Sequence, residues 1–197
     1  MINFSSIAEH VIALLKKELP LSLTYHDVDH TTDVVTECII IAREEGITDL
    51  QTLQELQVAA IYHDTGFLYA YKGHEEKSIE LARRELPHFN LPPNEIDNIC
   101  RLINATKVPQ LPENHVQQII CDADLDYLGR DDFFINTEKL HKEFIEYQVV
   151  STEEEWERSR IAFLRAHSYF TRYEKARRDH KKLEHLQQLL QMDADLS

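Results

Sequence analysis

Residues 53–66 read LQELQVAAIYHDTG, a run of apolar positions at helical spacing that ends in a His-Asp pair and a glycine. Leu56, Ala60 and His63 stand at positions i, i+4 and i+7, so on a helix they share one face. A histidine on that apolar face points into the protein interior. The stretch therefore predicts a buried helix that brings His63, and beside it Asp64, to the core.

The same helical spacing continues along the chain in both directions, and no strand pattern or internal repeat accompanies it. Helices are predicted from Ile7 to just before Pro20, at about 27–45, 53–64, 75–86, 93–103 and 114–128, around Leu140 and Phe144, after the capping pattern Thr152-x-x-Glu155, and through Leu183–Leu190 with fraying over Met192–Ser197. The sequence therefore predicts an all-α, single-domain helical bundle. Its motif core covers about residues 25–130, and a C-terminal helical extension covers about 131–192.

Composition restricts the class of protein. The 197 residues carry a net charge of -14, which disfavours nucleic-acid binding because that needs a basic surface. No apolar run approaches the roughly 20 residues of a membrane span, and the N-terminus lacks a signal-peptide pattern. The three cysteines are far apart, as in proteins of a reducing compartment. We therefore expect a cytoplasmic protein with neither nucleic acid nor membrane as a partner.

Three of the predicted helices each carry a metal-binding residue type on the apolar face. His30 begins such a face on the second helix, His63 ends one on the third, and Asp124 ends one on the sixth. One residue of this kind is more often a satisfied core histidine or a helix cap. Several together, with Asp64 beside His63, need a cation because a buried carboxylate is costly without one. The pattern predicts a divalent metal site at His30, His63, Asp64 and Asp124.

Three stretches, in this order, resemble the motifs of the HD superfamily of metal-dependent phosphohydrolases. They are YHDVDHTTDVV at 25–35, AAIYHDTG at 59–66 and CDADLDYLG at 121–129, so the resemblance covers about half of the chain. It implies an all-α fold, hydrolysis of phosphate esters, and the same four metal ligands. Asp124 matches the motif better than Asp122, although the reverse assignment stays open.

The resemblance also implies roles in catalysis. Asp64 would be both a ligand and the group that orients the attacking water. His26 matches a histidine that protonates the leaving group in the cyclic-nucleotide phosphodiesterase branch of the family. Glu75 or His74 could carry the proton, and Glu75 could equally be a carboxylate that interacts with a helix N-terminus.

The resemblance leaves the ion itself undetermined: Mn, Mg, Co, Fe, Ni and Zn are all candidates. One ion is predicted. Two remain an alternative, because some members of the family add histidines after the His-Asp pair. His74 is the best placed candidate for that role, whereas His88 and His115 lie beside helix breaks and are expected to be exposed.

The expected substrate is a small phosphorylated compound, and the family makes a nucleotide the first expectation, as a monoester or a diester. Lys107, Arg130 and Lys72 are the cations predicted to bind it. The basic stretch 158–182 is typical of a solvated helix face; contacts with substrate phosphates and pairing with a second subunit in a homodimer are the alternatives. Two other functions stay open: a regulatory module that binds metal and nucleotide without catalysis, and a di-iron oxygenase.

Overall fold

The chain is helical from one end of its described part to the other. The computed structural model describes residues 2–195, with side chains up to residue 192. No strand occurs within this part of the chain. The helices are α1 Phe4–Glu18, α2 Val28–Glu44, α3 Leu50–Tyr62, α4 His74–Glu85, α5 Pro93–Ala105, α6 His115–Asp124, α7 Phe133–Glu146, α8 Glu153–Ala166 and α9 Arg172–Asp195. The prediction of an all-α fold is confirmed.

Polar side chains begin helices at the predicted points. The carboxylate of Asp27 accepts the backbone N–H of His30 at 2.9 Å and so caps α2. The hydroxyl of Thr152 accepts the N–H of Glu155 at 3.1 Å at the start of α8, which confirms the capping pattern. Each cap satisfies a donor that the first turn leaves free. The cap at Asp27 also places His30 in the first turn of α2.

The sixth helix is shorter than predicted and ends at Asp124 instead of Leu128. Asp126–Gly129 form a 3-10 turn, in which the N–H of Leu128 bonds to the carbonyl of Leu125 at 3.1 Å. This tighter turn brings Gly129 against α9: a Cβ there would lie 2.6 Å from the Cβ of Arg178. Glycine at this position therefore allows the C-terminal extension to pack on the motif core.

Two groups of buried apolar side chains hold these helices together. The larger group joins α1 to α6 and includes Val34, Leu56, Ile103 and Ile120. The smaller one packs the 3-10 turn after α6 against α7, α8 and α9. Helix α2 carries His30, and α3 ends beside His63. Both helices contribute side chains to the larger group, so this core fixes the positions of the two histidines. The three cysteines are free and buried, as small hydrophobic residues often are.

The last helix is longer than the apolar pattern predicted. It begins at Arg172 and continues to Asp195. The prediction that the helix frays from Met192 onward is therefore wrong for residues 192–195. The segment contains no glycine or proline to end the helix. The rest of that prediction, at residues 196 and 197, lies outside the described residues. None of the described helices combines the length and the apolar character needed to cross a membrane.

Candidate metal centre

The four predicted ligands come together where α2, α3 and α6 pack. His30 Nε2 lies 3.3 Å from Asp64 Oδ2 and 3.5 Å from Asp124 Oδ1. His63 Nε2 lies 3.2 Å and 3.4 Å from the same two oxygens. Ligand atoms of His30, His63 and Asp124 all fall within 4.8 Å of one another. The structure therefore brings the four predicted residues together at one place.

Three atoms at the centre of this cluster are buried without a hydrogen-bond partner: His30 Nε2, His63 Nε2 and Asp64 Oδ2. They are close to one another but not directed as hydrogen bonds are. Buried polar atoms in folded proteins almost always have partners, because leaving one unpaired costs about 1–3 kcal/mol. Two imidazole nitrogens and two carboxylates are a ligand set that suits a divalent transition metal. The residues fit such an ion.

The backbone prepares the imidazole of His63 for this role. Its Nδ1 lies 2.8 Å from the carbonyl oxygen of Ala60 in the preceding turn. A carbonyl only accepts, so Nδ1 carries the proton and donates it. In the neutral ring this leaves the lone pair on Nε2, the atom that faces the cluster.

Charge balance in the cluster opposes the effect of burial. Burial by itself lowers the pKa of His30, but its contacts with Asp124 and Asp64 outweigh this and raise the pKa to about 9. The pKa of His63 is raised as well, for the same reasons. Burial raises the pKa of Asp124, and the two histidines lower it to about 2. Without an ion, the neighbouring carboxylates therefore favour the protonated form of both imidazoles.

Asp124 and Asp122 differ in the groups that they contact. The carboxylate of Asp122 is fully buried and accepts the backbone N–H groups of Phe170 at 2.8 Å and Thr171 at 2.7 Å, just before α9. Asp122 therefore holds the start of α9, whereas Asp124 faces the histidines.

His74 lies at the edge of the cluster. Its Nε2 is 3.4 Å from Asp64 Oδ1, the carboxylate oxygen that does not face His30 and His63. The ring stacks on Phe67 with 3.8 Å between centroids. Gly66 makes this approach possible, because a Cβ there would lie 1.8 Å from the carbonyl oxygen of His74. Of the three extra histidines, His74 is the one that contacts the cluster.

The other two extra histidines have the expected exposure. His88 is exposed, and His115 Nε2 pairs with Glu45 Oε2 at 3.3 Å on the surface. Neither contacts the four predicted ligands. Glu75, by contrast, is buried in the first turn of α4, with its Oε1 3.7 Å from His74 Nε2.

His26 is held by an acid that the sequence analysis did not identify. Glu143 of α7 is fully buried, and its Oε2 lies 2.6 Å from His26 Nδ1. Its other oxygen accepts the backbone N–H groups of Tyr25 and His26. Burial raises the pKa of Glu143, and these contacts more than reverse that effect and lower it. The ionised carboxylate accepts a hydrogen bond from the N–H at Nδ1. This leaves Nε2 as the atom of the His26 ring that is free to contact a ligand.

One signal in the sequence could have revealed Glu143. It stands three residues after Leu140 and one before Phe144, so it belongs to the apolar face of α7. An acid on an apolar helix face requires a partner in the core.

A cavity of about 390 Å³ adjoins the cluster. Its polar lining residues are His26, Asp64, His74, Glu75 and Asp124, together with Arg160 and a few hydroxyl groups. The remaining wall is apolar and is formed mainly by α7 and α8. All predicted catalytic residues (Asp64, Glu75 and His26) therefore line one space.

Two of the three predicted substrate-binding cations line a neighbouring groove. Lys72 and Lys107 border an open groove of about 900 Å³ that shares Tyr71, His74 and Glu75 with the cavity. Lys107 pairs there with Glu76, and both side chains are about half exposed, so the pair is weak. These two cations lie near the cluster without entering the cavity.

The structure does not bring Arg130 to either space. Its guanidinium pairs with Asp33 at 2.5 Å, Asp132 at 3.1 Å and Asp126 at 3.4 Å. The 3-10 turn after α6 redirects the chain, so Arg130 reaches α2 and an acidic cleft. Arg130 is therefore an ion-pair partner outside the cavity and the lysine groove, and its role in substrate binding stays a prediction. Arg160, which was predicted only as part of the basic stretch, is the cation that lines the cavity among the described residues.

The basic stretch 158–182 is only partly a solvated face. Arg177 and Arg178 pair with the buried carboxylates of Glu37, Asp126 and Glu174. Lys182 is also buried and donates to the carbonyl oxygen of His167 at 2.7 Å. Part of this stretch therefore anchors α9 to the motif core.

No protein-family model matches this chain, and no curated protein or solved structure matches it either.

Proposed function

We propose that this chain is an HD-type metal-dependent phosphohydrolase that cleaves a small phosphate ester with water. The supporting observation is the convergence of two imidazole nitrogens and two carboxylates, three of whose atoms are buried without partners, beside a cavity of ligand size. His30, His63, Asp64 and Asp124 would hold one divalent ion. Such an ion lowers the pKa of a coordinated water from 15.7 towards about 7 and offsets negative charge on the phosphate.

The residues around the cluster can then divide the work. Asp64 contacts the ligand histidines through one oxygen and His74 through the other, so it can orient water while it binds the ion. His26, held at Nδ1 by Glu143, can give a proton from Nε2 to the leaving oxygen. A positioned acid of this kind contributes about 10²–10⁴-fold. His74 and Glu75 can accept the proton that the water loses.

Lys72 and Lys107 supply positive charge at the groove that joins the cavity, where a phosphate can be exposed to solvent. The expectation of a nucleotide rests on the family resemblance. The proposal places the protein in the cytoplasm, with the three buried free thiols as support, and includes neither nucleic acid nor membrane as a partner. Association into a homodimer is compatible with it.

The experiment is a hydrolysis panel of nucleoside mono-, di- and triphosphates, cyclic nucleotides, alkyl phosphates and a chromogenic diester. It is run with Mn²⁺, Co²⁺, Mg²⁺, Fe²⁺, Ni²⁺ or Zn²⁺ on wild type, Asp64→Ala and the matched surface variant His88→Ala. We expect turnover that requires the ion, is lost in Asp64→Ala and is kept in His88→Ala. Bound metal is counted on the same samples, because a second ion beside His74 would double the stoichiometry.

Two results would contradict the proposal. A folded, metal-loaded protein that hydrolyses nothing but binds nucleotide would be a regulatory module. Iron-dependent oxygen consumption without hydrolysis would make it a di-iron oxygenase, with His74 as an additional ligand.

A further inference from the structure

The cavity beside the cluster has two kinds of wall. The lining residues from the segment before α2, from the stretch between α3 and α4, and from the start of α4 are polar or aromatic and contact one another. Most of the lining residues from α7 and α8 are apolar. They include Leu140, Phe144, Trp156, Phe163 and Leu164. Phe144 and Trp156 pack edge to face at 5.4 Å, which joins the two helices into one aromatic surface.

The serine and threonine hydroxyl groups in the cavity are already used by the backbone, and its three phenols belong to Tyr25, Tyr71 and Tyr127, which lie outside α7 and α8. Thr106 donates to the carbonyl of Ile103 at 2.9 Å, Thr137 to that of Phe133 at 3.0 Å, and Ser159 to that of Trp156 at 2.8 Å. Each bond lies within its own helix. These side chains therefore do not offer their protons to a ligand, and the wall that contains Thr137 and Ser159 behaves as an apolar one.

The charge of Arg160 is also engaged. Its guanidinium forms two contacts with the carboxylate of Glu157, one turn earlier on α8, and lies 5.8 Å from the ring centroid of Trp156. A nucleobase carries N–H and carbonyl edges that lose free energy when buried without partners. A site that selects a base needs groups free to bond to those edges, and α7 and α8 present hydrocarbon instead.

We infer that the cavity takes the hydrocarbon body of an amphiphilic phosphate monoester, an alkyl or aryl chain, and that nucleobases are poorly accommodated. This inference rests on the proposed function for the phosphate end and names the substrate class of that site. The phosphate meets the metal cluster and the lysine groove, and the hydrocarbon body lies along α7 and α8. Hydrolysis then adds water across the P–O bond and releases inorganic phosphate and an alcohol.

Trp156 is the single tryptophan of the chain and lines the cavity, so its fluorescence reports on occupancy. The probes are butyl, hexyl and octyl phosphate, with AMP as the nucleotide. Each is titrated into metal-loaded wild type and into Asp64→Ala, which lacks the ion and so reports binding of the hydrocarbon body without turnover. We expect affinity to rise about fourfold for each added methylene, as burial of hydrocarbon predicts, and AMP to bind more weakly than octyl phosphate.

Two variants fill the cavity from different helices, Ser159→Phe on α8 and Leu140→Phe on α7. Both should weaken octyl phosphate binding by at least about tenfold, since the added ring occupies the space of several methylenes. Arg158→Phe introduces the same side chain at the neighbouring exposed position and should leave binding unchanged. The two substitutions lie on different helices. Local damage to one helix therefore cannot explain weaker octyl phosphate binding in both variants.

The outcomes separate this inference from the proposed function. Chain-length-dependent binding without hydrolysis under any metal supports the hydrocarbon cavity and contradicts the hydrolase. Hydrolysis of AMP with no dependence on alkyl length, or equal binding by the two filled variants and wild type, overturns the inference and leaves the hydrolase standing.

Discussion

Two clusters of buried acids lie close together in this protein and differ in what balances their charge. The first is the metal-centre cluster, formed by His30, His63, Asp64 and Asp124. The second, here the arginine-paired cluster, contains the carboxylates of Glu37, Asp126 and Glu174, which also lie within 4.8 Å of one another. Arg177 contacts Glu37 at 2.6 Å and Glu174 at 3.1 Å, and Arg178 contacts Asp126 at 2.5 Å.

The comparison shows that a group of buried carboxylates does not by itself indicate a metal. In the arginine-paired cluster, permanent cations from α9 balance the charge, and the result ties that helix to α2 and the turn after α6. In the metal-centre cluster, no lysine or arginine among the described residues contacts the four members. Its only sources of positive charge are two imidazoles, and a metal ion can displace their protons.

Substitutions in the two clusters should differ most in their effect on metal content and turnover. Asp64→Ala should remove the bound ion and lower turnover by more than about 10³-fold, because a metal contributes several kcal/mol of charge stabilisation. Glu174→Gln changes a carboxylate of the arginine-paired cluster and should leave metal content and turnover unchanged. Burial, together with the neighbouring Asp126, raises the pKa of Glu174 to about 8, so glutamine resembles its prevailing neutral form.

Asp64→Ala and Glu174→Gln are compared by mass-spectrometric metal analysis and by initial rates, both measured on the same preparations. Loss of the ion in Glu174→Gln but not in Asp64→Ala would reverse the roles assigned to the two clusters.

The next difference is in stability. Arg178→Ala leaves the buried Asp126 without its nearest cation, although Arg130 stays 3.4 Å away, so the free energy of unfolding should fall by about 1–3 kcal/mol. The exposed Arg172, at the start of the same helix, is the matched control, and its replacement by alanine should change stability little. Urea denaturation, with metal present and absent, measures both. A loss for Arg178→Ala no larger than that for Arg172→Ala would show that the pairs contribute nothing.

The sequence was sufficient to predict the first cluster but not the second. His30, His63 and Asp124 are each recognisable because a ligand residue type lies on an apolar helix face, and that information is local. The arginine-paired cluster depends on how α9 crosses the turn after α6, a contact between residues far apart in the chain. Glu143 was missed for the same reason, since its partner His26 lies in the segment before α2, far from α7 in the chain.

Arg130 shows where local reasoning fails. Its closeness in sequence to Asp124 suggested a place in the substrate cleft. The 3-10 turn that follows α6 changes the direction of the chain by the time it reaches Arg130. A prediction that assumed a continuous helix to Leu128 could not include that change.

A smaller effect is expected when metal is added to the folded protein. An ion that binds only the folded state stabilises it by about 2.7 kcal/mol at a concentration of 100 times Kd. Mn²⁺ or Zn²⁺ should therefore raise the melting temperature of wild type and of Glu174→Gln, but not that of His63→Ala. Calorimetric scans with and without a chelator measure the shift. An equal shift in His63→Ala would place the ion elsewhere.

The smallest effect is in the pH dependence, and it distinguishes the clusters without any substitution. The pKa of His30 is raised to about 9, above its ordinary value near 6.5, so in the metal-free protein its ion pairs stabilise the fold fully below about pH 6.5. That contribution is lost as the pH rises through about 9. Metal must displace the same protons, so its affinity should increase with pH by up to about tenfold per unit for each proton released.

Calorimetric titration of Zn²⁺ near pH 7, in two buffers with different ionisation enthalpies, counts those protons. We expect proton release on binding in wild type and in Glu174→Gln alike, because arginine guanidinium groups do not titrate in this range and have no protons to exchange for a metal. Binding without proton release would mean that His30 and His63 are neutral before the ion arrives. The partnerless nitrogens would then be a preformed site, and the ion pairs between imidazoles and carboxylates would not be what holds the empty cluster together.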